Sequence, residues 1–318
     1  MKNVLIFGVT GQDGQFLAHS LINKKGKVRV VGVARKSVFP DFNPLNLDRP
    51  KYISGDVLDF QLVLDLIKTF RPTEIYNLAG ESSVANSFLN PINALNSNVI
   101  GILNVLNAVK QLNFQNMTRI FQASSSEMFG SSMVKLNENS SFRPVSPYAI
   151  SKYIGHRICL EYRSTYGLWI TTGILFNHES ELHSDNFVFQ KIIKSLINYT
   201  KDSKSKLKLG NINIERDWGY APEYVEAMIK IMQLDYPGDY IISSGKSHSL
   251  SDLIHEVRSQ LNIKEKVDNL VEIDQNLSRP TDVTKTWGDS SKIHEITGWK
   301  SSTDFSKLVS RIIDFNLN

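Results

Sequence analysis

A short apolar run, Val4-Leu5-Ile6-Phe7, enters the turn Gly8-Val9-Thr10-Gly11-Gln12-Asp13-Gly14, after which Phe16, Leu17, Leu21 and Ile22 recur at helical spacing. An unbroken apolar run suits a strand buried on both faces, the condition inside a parallel sheet. Strand, glycine turn and helix in that order form the opening unit of a dinucleotide-binding α/β fold. Glycine lets the turn close and lets backbone N–H groups approach a pyrophosphate at the helix N-terminus. The spacing is Gly-x-x-Gly-x-x-Gly rather than Gly-x-Gly-x-x-Gly, but the context is the required one. Gly8, Thr10, Gly11, Gln12, Asp13 and Gly14 are the candidate cofactor contacts.

Strands and helices continue to alternate downstream. A second strand, Val28 to Val33, ends at Ala34-Arg35-Lys36-Ser37. An acidic residue at that strand end suits a ribose 2′-hydroxyl, and a basic one suits a 2′-phosphate. Arg35 and Lys36, with no carboxylate beside them, favour NADP. A third strand and turn, Lys51 to Val57, brings Asp56 and Val57 toward an adenine. A helix is expected over Leu62 to Phe70. A fourth strand, Glu74 to Gly80, ends in small residues where a cofactor would lie, with Leu78 and Ala79 as candidate contacts. A long amphipathic helix is expected over Asn93 to Leu112. A fifth strand from Arg119 carries Ser124-Ser125-Ser126-Glu127 at its carboxyl end, where open parallel sheets bind ligands.

Ser146-Pro147-Tyr148-Ala149-Ile150-Ser151-Lys152 follows. Tyr148 and Lys152 stand four residues apart, on one face of a helix. An ammonium beside a phenol stabilises the phenolate and makes it a usable base. The alternation loosens after a strand over Leu168 to Leu175. The expected fold is therefore a Rossmann-type doubly wound parallel sheet with a smaller α/β substrate-binding lobe. The expected division assigns 1–175 with 213–243 to NADP and 176–212 with 244–318 to the substrate. Arg216 to Tyr220 is read as the lead into a helix ending at Met232.

Composition excludes several classes. A net charge of +4 over 318 residues permits an anionic ligand without indicating nucleic acid. The basic run Lys201 to Lys208, interleaved with serine, is read as a solvated turn. A single cysteine, Cys159, leaves no intramolecular disulfide and fits a reducing compartment. The N-terminus enters a strand with no signal-peptide pattern, and no apolar run is read as long enough to span a membrane. The expectation is a cytoplasmic protein with no nucleic-acid or membrane partner. His156, His178, His183 and His248 lack ligand spacing, so no metal is expected.

The assembled pattern resembles the extended short-chain dehydrogenase/reductases that act on nucleotide sugars, and within them the GDP-mannose 4,6-dehydratases. Carrying the resemblance are Thr10-Gly11-Gln12-Asp13-Gly14, Tyr76-Asn77-Leu78-Ala79, Gln122 to Glu127, Ser146-Pro147-Tyr148-Ala149 with Lys152, Gly173 to Ser180, Leu209-Gly210-Asn211, Arg216-Asp217-Trp218-Gly219 and Arg279-Pro280. Asn177-His178-Glu179-Ser180 and Arg216-Asp217-Trp218-Gly219 are its specific parts.

The resemblance implies that Tyr148 is the base and that Lys152 lowers its pKa and holds the nicotinamide ribose. Ser125, standing where threonine is usual, would sit by the sugar 4-hydroxyl. Glu127 would take the C5 proton, and Glu127 or Ser126 would assist loss of water from C6. Asn177, Val188 and Lys191 would border the nucleotide, and Arg216 and Arg279 would contact the diphosphate. Ser82, Ser83, Glu179, Leu209, Gly210 and Asp282 would complete the substrate contacts. His178 would serve structure near the nucleotide. The helices over 93–112 and 152–166 would pair across a twofold axis, giving a homodimer or homotetramer.

Three features depart from the family pattern. Glu181-Leu182-His183-Ser184 replaces Pro-Arg-Arg-Gly, Gly80-Glu81-Ser82-Ser83 replaces Ala-Gln-Ser-His, and the chain is shorter than is usual. His183 with Glu181 reads as a chance surface pair. A related GDP-sugar such as a GDP-heptose stays open as substrate. A GDP-4-keto-6-deoxy-sugar reductase or epimerase, or a non-catalytic NADP-binding sensor, stays open as an alternative activity.

Overall fold

The computed structural model describes residues 2–24, 26–39, 43–202, 206–277 and 280–317. Along the chain run β1 (Lys2–Phe7), α1 (Gln12–Ile22), β2 (Val28–Ala34), β3 (Lys51–Ser54), α2 (Phe60–Phe70), β4 (Glu74–Asn77), α3 (Val84–Leu89), α4 (Pro91–Leu95), α5 (Gly101–Gln111), β5 (Arg119–Ser125), α6 (Pro147–Tyr166) and β6 (Ile170–Leu175). They continue as β7 (Asn177–Glu179), α7 (Val188–Lys201), β8 (Leu207–Leu209), β9 (Glu215–Tyr220), α8 (Ala221–Ile231), β10 (Asp239–Ile242), β11 (Ser247–Ser249), α9 (Leu250–Gln260), α10 (Val267–Leu270), β12 (Val271–Ile273), α11 (Ser291–Thr297) and α12 (Phe305–Leu317).

Seven strands form one sheet in the order β10-β6-β5-β4-β1-β2-β3. Every neighbouring pair is parallel. The alternation within β1 explains why both faces must be covered. Val4 and Ile6 enter the core formed with α1 and α8, while Leu5 and Phe7 enter the core formed with α2 and α5. The order reverses at β1, which lies between β2 and β4. The crevice outside the carboxyl ends of β1 and β4 is thus the switch point where such sheets bind ligands. The expected doubly wound sheet is present.

A third core joins α7, α9 and α12 with β8, β9 and β12, and forms the smaller lobe. The expected division of the chain is corrected in two places. Ile214 and Trp218, assigned to the cofactor unit, pack in the lobe core. Ile293 of α11 and Trp299, assigned to the lobe, pack with Tyr224 and Tyr240 in the sheet core. The segment Arg216 to Tyr220 is also more than a lead into a helix: it is β9, paired with β7 and β11.

The helix expected over 93–112 begins at Pro91 and changes pitch. Asn96–Ile100 form a π-helical turn between α4 and α5. By length and composition the stretch Pro91–Gln111 is able to cross a membrane, contrary to the reading of the sequence. Here its apolar face is a core face, with Ala94, Ile102, Val105 and Leu106 fully buried.

Helix α6 is set by its ends. Ser146 accepts from the Ala149 N–H at 3.1 Å, Pro147 takes the first turn, and Gly167 closes the helix in the left-handed region at φ 66°. The Tyr148 N–H donates to Ser87 Oγ of α3 at 3.1 Å. The first turn of α6 is therefore fixed before any ligand binds.

Candidate active site

One cleft of about 1430 Å³ runs across the switch point and into the lobe. Its cofactor end is built by the glycine turn. Gly8 has φ 85°, and a Cβ there would lie 2.7 Å from Ala79 N, so backbone strain and close packing against the end of β4 both require glycine. A Cβ at Gly14 would lie 2.5 Å from Gly8 O, so α1 seats directly on the turn. The first N–H groups of α1 are left for a ligand, since Gly11 offers no side-chain cap. Thr10, Gly11, Arg35, Lys36, Asp56, Val57, Leu78 and Ala79 all line the cleft. The turn, the open helix end and a basic pair with no acidic residue at the end of β2 fit a 2′-phosphorylated dinucleotide.

Gln12 and Asp13 have other work. The Gln12 amide donates to the His178 carbonyl at 3.2 Å, and its Oε1 accepts from Ser180 Oγ at 2.6 Å. The Asp13 carboxylate accepts from His178 Nε2 at 2.9 Å, while His178 Nδ1 bonds the Phe176 carbonyl at 2.7 Å. A carbonyl and a carboxylate both need a donor, so both ring nitrogens carry protons. Burial opposes that charge, but Asp13 and the Phe176 carbonyl hold the His178 pKa up, and burial is likewise outweighed in keeping Asp13 low. His178, expected to serve structure near the nucleotide, ties the cofactor turn to β7.

The catalytic candidates converge at the end of β5. Ser125 Oγ accepts from the Glu127 N–H at 3.2 Å and shares a hydrogen bond with the Tyr148 phenol. Ser126 and Glu127 sit buried in the single tight turn Ser126–Phe129. Lys152 donates to the Ala123 carbonyl at 3.0 Å, with its ammonium 5.8 Å from the Tyr148 ring centroid. The expected lowering of the phenol pKa by Lys152 is not what this arrangement produces. Burial pushes Tyr148 up, the Ser125 hydrogen bond pulls it down, and the Glu127 and Glu81 carboxylates push it further up. Lys152 itself is brought down to about 8 by burial, against the pull of Asp13.

One turn beyond Lys152, His156 Nδ1 bonds Ser124 Oγ at 3.0 Å. Burial lowers His156 to about 4, the Asp239 carboxylate opposing and Arg163 and Arg157 adding to the fall.

At the substrate end, Ser82, Asn177, Val188, Leu209 and Gly210 line the cleft. Several other expected contacts are already engaged within the protein. Ser83 Oγ caps α3 by accepting from the Asn86 N–H at 3.1 Å. Lys191 donates to the Lys208 carbonyl at 2.8 Å. Glu179 is paired with His183 Nδ1, and His183 stacks on Phe187 at 4.0 Å. The chance pair expected between His183 and Glu181 is therefore replaced. Glu181 instead meets Tyr220 and Arg311. The spacing of Glu179 and His183, four residues apart, was the available signal. Arg216 is held by Asp282 at 3.2 Å and faces Glu127 at 3.5 Å. Arg279 lies outside the described residues.

The family model for GDP-mannose 4,6 dehydratase matches residues 5–312. This chain belongs to the GDP-mannose 4,6-dehydratase family. GDP-mannose 4,6 dehydratase 1 of Arabidopsis thaliana is 38% identical, over 99% of this chain and 90% of its own. The GDP-mannose 4,6-dehydratase of Sinorhizobium fredii is 33% identical, over 100% and 97%. Among solved structures, dTDP-glucose 4,6-dehydratase of Bacillus anthracis in complex with NAD superposes with a TM-score of 0.84 at 19% identity, over 99% of this chain and 96% of that one. The family's cofactor is NADP. The switch-point cleft is thus where a family member seats its cofactor, and the basic end of β2 agrees with NADP.

Proposed function

We propose that this chain is an NADP-dependent hydro-lyase that converts GDP-mannose to its 4-keto-6-deoxy sugar. The observation that carries the reading is the meeting of Ser125, Glu127 and Tyr148 at the end of β5 in a family member. Bound NADP supplies an acceptor and donor of hydride. The protein supplies the proton handling. Tyr148, hydrogen-bonded to Ser125, takes the proton of the sugar 4-hydroxyl. The resulting ketone acidifies C5, and Glu127 takes that proton. Ser126 and Glu127 then assist loss of the C6 hydroxyl as water. Hydride taken from C4 would return to C6 through the bound cofactor while C5 regains a proton, so the reaction is redox-neutral overall and no reductant is consumed. Among the open alternatives, a reductase needs no base at C5, and an epimerase would release no water.

The test is to incubate purified protein with GDP-mannose, and with GDP-heptoses, adding no NADPH, and to weigh the products. Loss of one water supports the reading. No loss of water in that incubation, with product formed only when NADPH is added and consumed stoichiometrically, overturns it. We further propose a cytoplasmic homodimer through α4, α5 and α6, where Ile92, Leu95, Ile150 and Ile154 are exposed apolar residues. A monomer by light scattering at micromolar concentration counts against the dimer.

A further inference from the structure

Behind the turn that carries Arg35 and Lys36 stands Tyr52. Strands β2 and β3 pair from Val31 opposite Lys51 to Ala34 opposite Ser54, so the ladder between them ends at Ala34. The Gly55 N–H closes that end by donating to the Ala34 carbonyl at 2.9 Å. Arg35 and Lys36 lie beyond it, exposed on the wall of the cleft, and neither side chain has a partner among the described residues. An arginine with no side-chain partner points where its backbone sends it. The Tyr52 hydroxyl donates to the Lys36 carbonyl at 2.5 Å, and the Ala34 carbonyl lies 3.0 Å from the same oxygen. A phenol has one proton to give, so the shorter contact is the bond and the longer one completes a bracket around Arg35. Phe39 then returns edge-on to the Tyr52 ring, with centroids 5.4 Å apart at 86°. The segment from Ala34 to Phe39 is thus wrapped around one partly buried side chain that does not itself line the cleft.

We infer that Tyr52 is a positioning residue for the cofactor's 2′-phosphate: by holding the turn around Arg35, it sets the preference for NADP over NAD. The inference rests on the NADP dependence in the reading above and not on the sugar chemistry. Charge-assisted bonds to a phosphate depend on direction as well as charge, and an arginine fork pairs two oxygens only when its plane is set. A turn already held in its binding conformation loses less affinity to ordering when the ligand arrives. NAD carries a hydroxyl where NADP carries the phosphate, makes no such bond, and is indifferent to the turn. Among the described residues the Tyr52 hydroxyl is the partner of the Lys36 carbonyl. Its removal therefore frees the turn past Ala34, while the ring keeps its packing against Phe39.

The experiment is calorimetric titration of the full chain, without substrate, with NADP, with NAD and with 2′,5′-ADP, a fragment that carries the 2′-phosphate but no nicotinamide. For Tyr52→Phe we expect the dissociation constants for NADP and 2′,5′-ADP to rise about fivefold, the scale of one lost hydrogen bond, and that for NAD to stay within about twofold. In a background carrying Arg35→Ala and Lys36→Ala, the same change should lower NADP affinity by less than about twofold, because the groups that Tyr52 positions are gone. The inference is overturned if Tyr52→Phe leaves NADP affinity within about twofold of wild type, or weakens NADP and NAD alike, because Tyr52 is then a packing residue only. It is overturned too if the whole loss survives in the double-alanine background, because Tyr52 then acts on another part of the site. A wild type that binds NAD as tightly as NADP overturns the NADP dependence and this inference with it. A selective wild type whose Tyr52→Phe variant is equally selective overturns this inference alone.

Discussion

Lys152 and Ala123 are joined by a 3.0 Å hydrogen bond, ammonium to carbonyl, across the α6 face that carries Tyr148. The bond fixes the lysine against β5 and is stronger while the lysine is an ammonium. Burial places that proton's pKa at about 8. As pH rises through that value the ammonium becomes an amine and its charge beside the phenol is lost. We predict an alkaline limb near 8 in kcat/KM, which reports the free enzyme. Lys152→Arg should abolish the limb, because a guanidinium keeps its proton. An unchanged limb in that variant assigns it to another group.

Arg35 stands exposed at the end of β2, on the wall of the cleft. A charge-assisted bond to a 2′-phosphate has no counterpart in NAD. Arg35→Ala should raise the dissociation constant for NADP by about tenfold or more and leave that for NAD within about twofold. Binding titrations of both cofactors check this, and equal weakening makes Arg35 structural.

Gly14 has no room for a side chain, since its Cβ would meet Gly8 O at 2.5 Å and Val9 Cα at 2.6 Å. Both contacts are backbone and cannot rotate away. Gly14→Ala should lift α1 off the turn, cost about 1–3 kcal/mol and abolish cofactor binding. Thermal unfolding and NADP titration test it. Wild-type affinity in the variant removes the turn from the site.

The parts legible in the sequence were those set by neighbours along the chain. The β1 turn and the α6 first turn announce themselves through local backbone needs, glycine at positive φ and Ser-Pro at a helix start. Strand β9 was hidden because Arg216 and Asp217 put charges at buried positions. Asp217 is tolerated there because it accepts from the N–H groups of Ser244, Gly245 and Gly288, all remote in sequence. The same distance concealed what Arg216 and Asp13 do. A motif shows which residues approach a site, but not that Arg216 turns its Nε to Glu127 or that His178 claims Asp13. The state of Tyr148 is concealed for a related reason: Lys152 is visible in the sequence, but the burial and the Glu127 and Glu81 carboxylates that raise the phenol are not.

Glu127→Gln separates the two halves of the proposed reaction. An amide keeps the size and hydrogen bonding of the carboxylate but is a very poor base. Oxidation at C4 should persist in part and elimination should stop. Reduced nicotinamide should then build up to at most one equivalent per site after mixing with GDP-mannose. Release of 4-keto-6-deoxy product at near wild-type rate assigns elimination to another base.

His156 gives the fold a pH dependence of defined sign. Buried beside Ser124, it titrates at about 4 in place of its ordinary 6.5. As pH falls below 6.5 the unfolded chain takes up this proton while the native chain does not, so stability declines. The loss continues to about pH 4, where both states are protonated, and amounts to at most about 3 kcal/mol. His178 works in the opposite direction. Its pKa is raised, so its contribution is fully present below 6.5 and is lost as pH rises through its native value. The two contributions separate by mutation. His156→Gln keeps a group able to bond Ser124 Oγ and removes the titration. Urea unfolding at pH 7 and pH 5 should show a clear fall in stability for wild type and a smaller one for the variant. An equal fall in both proteins assigns the acid sensitivity to other groups and leaves His156 with a packing role against Phe142, whose ring centroid lies 5.3 Å away.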